Sequence, residues 1–346
     1  MTHPAVLYTG YRLTGKHHGL ATLLALLGAA NILEAQRVTI REASGICRQG
    51  DSLYVVDDSA GGVCFRVPLK DNMGPLISLN TAAPERVSLS PGRLAIDLEG
   101  IDFLADGRLA ALSERMRSLV GKDGVIVEYD SLLSEFAKRG LEGIAVRPRP
   151  NGSSRIAVVW EGGYPDVPSV PRPLLKLVAH KSIRPFVLVH DLKPDAGGGR
   201  VRLSEAESFF EVELPLPPGE EPQAQRFRAS DLVWYPLPGG GGRGERWGFI
   251  LLISSQNSVE KPDYLHHWLL RINPQGKPVG DPLDLAKFVP ESLRGVNWEG
   301  LSWFEPGKRL VLVHEADPGL EPHAFILDLP PDWQFQAPES SSGRAP

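Results

Sequence analysis

Little in this chain could cross-link it. Two cysteines in 346 residues cannot form a disulfide framework. Cys47 falls in the first strand expected of its unit and Cys64 in the third. With one strand between them they stand roughly 9–10 Å apart, so both are expected as buried thiols. A cationic surplus is also missing. Lys and Arg total 37 against 42 Asp and Glu, a net charge of −5, and general nucleic-acid binding needs a clustered basic excess. No apolar run is long enough to span a membrane. No Gly-x-Ser-x-Gly string occurs, and Ser254 and Ser255 have no local catalytic partner, so the spacing does not support a serine esterase. No His/Cys set has zinc spacing. The glycine run 239–242 is not followed by Lys-Ser/Thr and reads as a turn, not a phosphate loop. Outside the first 35 residues no long helical period appears.

What is abundant is glycine, 36 residues, and proline, 31, with 42% apolar residues. That balance suits many short strands joined by turns, around a substantial core. The strands carry a five-fold echo. Its sharp copies are Leu98-Glu99-Gly100-Ile101, Leu141-Glu142-Gly143-Ile144 and Trp298-Glu299-Gly300-Leu301. Two further copies put serine in the acid's place: Ala43-Ser44-Gly45-Ile46 and Ala229-Ser230-Asp231-Leu232. After each copy comes a short loop and a second apolar run ending in polar or acidic residues: Asp57-Asp58, Ser113-Glu114, Trp160-Glu161, Ser254-Ser255 and His314-Glu315. Repetition at this scale marks an array or a propeller.

The expected fold is therefore all-β, a single β-propeller. Five blades fit the five copies. Successive motif positions are 55, 43, 88 and 69 residues apart, and the longest gap leaves room for a degenerate sixth blade. The last unit is one strand short, so the segment ahead of the first unit is expected to supply a strand, close the ring and cover an open edge. Residues 36–330 are assigned to the propeller and 331–346 to a disordered tail rich in Ser and Pro. Residues 1–35 carry Arg12, Lys16, His17 and His18 ahead of the apolar run 20–27 and a small-residue stretch, Gly28-Ala29-Ala30. That is the layout of a signal peptide, and equally of an amphipathic helix beside the fold. The first reading implies a periplasmic or secreted protein, the second a cytoplasmic one.

In a propeller the first strand of each blade lines the channel. Ser44, Glu99, Glu142, Ser230 and Glu299 should then converge at one mouth, with Asp58, Glu114, Glu161, Ser255 and Glu315 in a wider ring around them. Carboxylates gathered in a narrow channel repel, so either their pKa values rise or a cation sits among them. Oxygen donors from five strands suit calcium, which takes about 6–8 oxygen ligands and tolerates irregular geometry. The alternative is that each Glu accepts bonds from neighbouring backbone amides and only pins the blades. Arg41, Arg115, Arg117, Arg139, Arg228 and Arg294 fall in loops at the same mouth and could hold an anionic, phosphorylated ligand; equally, they could neutralise the acids. Glu315 and Glu114 are candidate bases for activating water, and His314 is the candidate whose neutral form is present near pH 7.

The strings Glu42-Ala43-Ser44-Gly45-Ile46, Leu98-Glu99-Gly100-Ile101 and Asn297-Trp298-Glu299-Gly300-Leu301, with the trailing Ser113-Glu114 and His314-Glu315, resemble bacterial phytase-like (esterase-like) propellers and the SdiA-regulated propeller family. The resemblance spans roughly residues 37–330 and implies a propeller, frequent export and, through the phytase-like name, phosphoester chemistry. The order Ser, Glu, Glu, Ser, Glu is similar to the calcium site of five-bladed calcium-activated apyrases. By position that implies Ser44, Glu99, Glu142, Ser230 and Glu299 as a calcium shell. The expected protein is a monomeric calcium-binding propeller hydrolysing a phosphoester, with a non-catalytic binding propeller and a lactonase-type hydrolase as alternatives.

Overall fold

The computed structural model describes residues 39–70, 73–89, 97–133, 140–162, 184–193, 201–203, 206–214, 227–237, 247–256, 265–316 and 320–335. The N-terminal segment 1–35, the Pro-rich loop 165–173, a strand expected over 175–179, the glycine run 239–242 and Arg139 lie outside them. Among the described residues there are strands and single turns of 3-10 helix, and no helix is long and apolar enough to cross a membrane.

The strands build five antiparallel blades. Blade one holds β1 (Ala43–Gln49), β2 (Ser52–Asp57), β3 (Val63–Pro68) and β5 (Glu85–Ser88); β4 (Leu76–Ser78) lies between the last two in the chain. Blade two holds β6 (Leu98–Phe103), β7 (Leu109–Ser113), β8 (Ser118–Gly121) and β9 (Gly124–Glu128). Blade three holds β10 (Leu141–Pro148), β11 (Ser154–Trp160), β12 (Phe186–Leu192) and β14 (Ser208–Glu211), while β13 (Val201–Arg202) adds in parallel to β9. Blade four holds β15 (Phe227–Pro236), β16 (Trp247–Gln256), β17 (Leu265–Ile272) and β18 (Leu283–Asp284). Blade five holds β19 (Trp298–Glu305), β20 (Arg309–His314) and β21 (His323–Asp328), completed by β4.

Closure therefore comes from the N-terminal part of the chain, but from inside blade one rather than from ahead of β1. Leu76–Ser78 pairs with His323–Phe325. The residues ahead of β1 act as a strap instead. The Arg41 carbonyl accepts from the Ala316 amide at 3.0 Å, and Asn80 bonds both backbone groups of Ile40. Among the described residues the longest gap holds no sixth blade: five sheets account for the described strands. The fold also runs past residue 330. Trp333 is buried and Phe335 donates to the Gly307 carbonyl, so the expected tail starts no earlier than 336.

The core lies between blades rather than at the axis. One cluster joins blades two and three through Leu112, Leu119, Ile156, Val158 and Leu188. Another joins four and five through Ile250, Leu252, Leu310 and Leu312. Each sheet buries both faces, which is why β11 and β20 read as unbroken apolar runs and not as alternating strands. Cys47 and Cys64 are buried free thiols within the cluster between blades one and two.

At the axis the innermost strands β1, β6, β10, β15 and β19 approach their neighbours so closely that the motif glycines have no alternative. A Cβ on Gly100 would stand 2.8 Å from the Ile144 nitrogen and 2.9 Å from the Glu142 carbonyl oxygen. On Gly300 it would stand 2.9 Å from the Ser44 oxygen and 3.0 Å from the Gly45 Cα. On Gly45 it would strike the Glu99 carbonyl, and on Gly143 it would strike Asp231. Gly45→Ala is therefore expected to lower stability by about 1–3 kcal/mol in chemical denaturation. Gly74→Ala, where nothing lies within 4 Å, is the control and should be near neutral.

Candidate metal centre

Every motif position sits at the same kind of backbone irregularity. In β1, Ala43 pairs with Asp57 and Gly45 with Val56, leaving Ser44 as an extra residue. The same slip isolates Glu142 in β10, Ser230 in β15 and Glu299 in β19. In β6 it falls across Glu99 and Gly100. A bulge puts two residues opposite one and re-aims a side chain out of the pleat. Repeated at one level in five blades, it releases five oxygen-bearing side chains from the sheet faces; the Ser44 hydroxyl donates to the Glu42 carbonyl at 3.3 Å, and the three glutamates face common acids.

The acids of this set repel one another. Burial first, then Glu299, Glu114, Asp58 and Asp97, pushes the Glu99 carboxyl well above its usual range. Burial, then Glu161, Glu99, Glu114 and Glu299, does the same to Glu142. Glu299 is pushed up to about 8 by burial and by Glu315, against a bond from Asn297. Asp58 is raised to about 7 by burial and by a hydrogen bond shared with Glu42. Three motif glutamates from three blades thus feel one field. The oxygens of Asp58, Asp97 and Glu99 lie within 4.8 Å of one another, as do those of Glu114, Glu142 and Glu161, and those of Glu42, Asp57 and Asp58. Among the described residues Glu99, Glu142 and Glu299 do not themselves form such a group; each tight group pairs an axial acid or its neighbours with acids of the wider ring. These groups can hold a metal ion.

The wider ring is nearly as the sequence implies. The Glu114, Glu161 and Glu315 amides donate to the Asp97, Gly140 and Asn297 carbonyls, and Asp58 donates to Glu42, so four acids occupy one register position. In blade four Ala229 pairs with Ile253 and Arg228 with Ser254. Ser254, not Ser255, therefore holds the equivalent place.

Sequence reasoning missed Asn297. Its side-chain nitrogen bridges Glu299 and Glu315, bonding the latter at 3.1 Å. Its place directly ahead of Trp298-Glu299 was the available signal. Sequence reasoning also missed the acids that pin the blades. Asp102 accepts from the Val146 amide of the next blade at 2.6 Å, and Asp231 from the Leu301 amide at 2.7 Å. Among the described residues no backbone amide or cation reaches the side chain of Glu99 or Glu142. The pinning role weighed for the motif glutamates belongs to these aspartates instead.

Two sequence expectations need correction. His314 is fully buried, with Nδ1 against the Glu315 carbonyl and Nε2 accepting from the His323 amide at 3.2 Å. That fixes the neutral Nδ1–H tautomer and leaves no lone pair for a water, so His314 is not a general base. Arg117 is 5% exposed, and its guanidinium donates to the Leu133 carbonyl at 2.6 Å, inside blade two. It cannot hold a ligand at the mouth. Arg228 forms an ion pair with Glu161 at 3.4 Å; Arg41, Arg115 and Arg294 are exposed. Glu114 is buried, and one of its oxygens accepts from the Gly140 amide.

No family model matches the chain, and no curated protein matches it. Solved structures similar to it include a putative gluconolactonase, with 12% identity over 84% of this chain and 89% of that one and a TM-score of 0.34. A catalytically inactive virginiamycin B lyase from Staphylococcus aureus, solved with quinupristin, has 9% identity over 84% and 97% and a TM-score of 0.36. A protein of unknown function from Dyadobacter fermentans has 14% identity over 80% and 64% and a TM-score of 0.28. At such identities and scores these likenesses assign neither family nor activity. The resemblance to phytase-like and SdiA-regulated propellers, and to the apyrase site, gains nothing from them.

The raised carboxyls give the metal-free chain a distinctive pH dependence. Glu299 keeps its proton to about pH 8 when folded, against an ordinary value of 4.5. Between those limits the folded state holds more protons than the unfolded one, so raising the pH lowers the free energy of unfolding. In chelator, the melting temperature should fall by a few degrees from pH 5 to pH 8. Glu99→Gln should flatten that fall and raise the pH 8 value.

Proposed function

We propose that the protein binds calcium at the axial mouth and hydrolyses an ester or phosphoester there. The observation that carries this reading is the state of Glu99, buried, and Glu142, half-buried: acids facing other acids, with no donor among the described residues. A buried charge without a partner is costly. A hard divalent cation removes that cost and fits an all-oxygen donor set. Glu99, Glu142 and Glu299 would hold it, with Ser44 and Ser230 as neutral donors and Asp58, Asp97, Glu114 and Glu161 close enough to contribute. Bound there, the ion would polarise a carbonyl or phosphoryl oxygen.

The chain's own groups supply the rest. Glu315 is the proposed base. It is half-buried, its amide is fixed by the Asn297 carbonyl, and one carboxylate oxygen is oriented by the Asn297 side chain. The same asparagine nitrogen holds Glu299, so base and ligand are set by one group. The exposed Arg41, Arg115 and Arg294 are the groups left to meet an anionic substrate. If residues 1–35 direct export, calcium is plentiful where the protein would work.

Calcium should bind measurably by calorimetry and stabilise the fold, by about 2.7 kcal/mol at a hundredfold excess over Kd. Glu142→Gln and Glu299→Gln should weaken binding. Glu315→Gln should keep calcium but lose about 100-fold or more in turnover on a panel of phosphoesters, carboxylic esters and lactones. Calcium binding without turnover on any of them would leave a non-catalytic binding propeller. Absence of both binding and stabilisation would remove the proposal.

A further inference from the structure

In four blades the residue after the motif acid or serine is glycine; in blade four it is Asp231. Its carboxyl is buried at the axis, at the level of the glycine annulus. One oxygen accepts from its own neighbour, Leu232, at 2.8 Å, and the other from Leu301 of blade five at 2.7 Å. The Ile144 amide of blade three faces the same carboxyl and favours its charge. These amides are equivalent in the repeat. Leu232 lies two residues after Ser230, Leu301 two after Glu299 and Ile144 two after Glu142. A single carboxyl therefore ties two of the five bulged strands together and faces an amide of a third, each just beyond the motif side chain.

We infer that Asp231 is a positioning residue for the metal centre: it fixes the spacing of Ser230 and Glu299 by clamping the amide two residues after each, and that of Glu142 by its contact with Gly143 and the Ile144 amide. This rests on the reading that those residues hold a cation. A carboxyl meets the demand. The amides need acceptors, which both of its oxygens supply even though burial pushes its pKa up, whereas an amide side chain would turn an N–H toward another N–H. The sequence shows the cost being accepted once. Asp231 lies against Gly143, where even a Cβ would collide, so the close approach of blades three and four is kept by glycine on the other side. The clamp touches no ion and acts through backbone, as outer partners of a metal site do.

The test uses Asp231→Gly, which restores the residue that the other four blades carry and so removes the clamp without adding bulk. Tyr129→Phe, which breaks a buried bond to His190 between blades two and three, is the remote control for lost stability. Calcium affinity is measured well below the melting temperature of each variant. Bound water is counted from terbium luminescence lifetimes in H2O and D2O. Asp231→Gly should bind calcium at least about tenfold more weakly, and terbium should gain a water, while the control keeps wild-type affinity and hydration whatever its melting temperature. Unchanged affinity and hydration in Asp231→Gly, with only stability lost, would make Asp231 a blade pin and overturn the inference. A wild-type protein that binds neither ion would instead overturn the underlying metal reading, and this inference with it.

Discussion

Five strands packed side by side around one axis leave no space for side chains between them, and that steric limit governs everything at the centre of this molecule. It demands glycine at Gly45, Gly100, Gly143 and Gly300. It also explains why the residue before each glycine is bulged. A regular pleat would send that side chain into the neighbouring blade, so the extra residue releases it from the sheet face. The motif acid and the motif glycine are thus two halves of one solution. Closure by β4 and the strap at Ile40 and Arg41 keep the ring at the diameter that makes the contact tight.

Carboxylates in this structure divide by what surrounds them. Asp102 and Asp231 are buried among backbone amides and serve as struts between blades. Glu99, buried, and Glu142, half-buried, stand among other acids and have no such donors among the described residues. Burial pushes the strut carboxyls up as well, Asp102 to about 7, and the N–H groups only offset it; around Glu99 and Glu142 the neighbouring acids add to the effect of burial, which a proton or a cation relieves. Asn297 marks the boundary between the two kinds, since it supplies one donor to Glu299 and Glu315 at once. The axial region is accordingly layered: an acid-rich mouth stands above an annulus of glycines with the Asp231 clamp set into it.

The fold was legible because it repeats. Short apolar runs, the five motif copies and the turn residues between them point to the propeller without any long-range information. β8 was not separable from its neighbours, because the turn Glu114–Arg117 carries no glycine or proline; Arg117 takes the left-handed conformation there instead, at φ 46. The closing strand was not legible in place, since Leu76–Ser78 is three residues long and pairs only through the backbone. Of the candidate site, the positions that turn out to be bulged were readable from the repeat, while the surroundings of His314 and Arg117 were not. Adjacency to an acid could not show that both ring nitrogens of His314 are taken by the backbone, or that Arg117 turns inward to Leu133. Asp231 looked like a worn copy of the motif, yet it is the one position where an interblade bond replaces bare contact.

The central claim is that one cation draws Glu99, Glu142 and Glu299 together. Anomalous diffraction from crystals grown with calcium, and from a parallel set soaked in a lanthanide, tests it most directly. The account predicts a single strong peak at the axial mouth, bonded by carboxylate oxygens of those three residues. A mouth without anomalous signal, with its carboxyls protonated or bonded to one another, would contradict it.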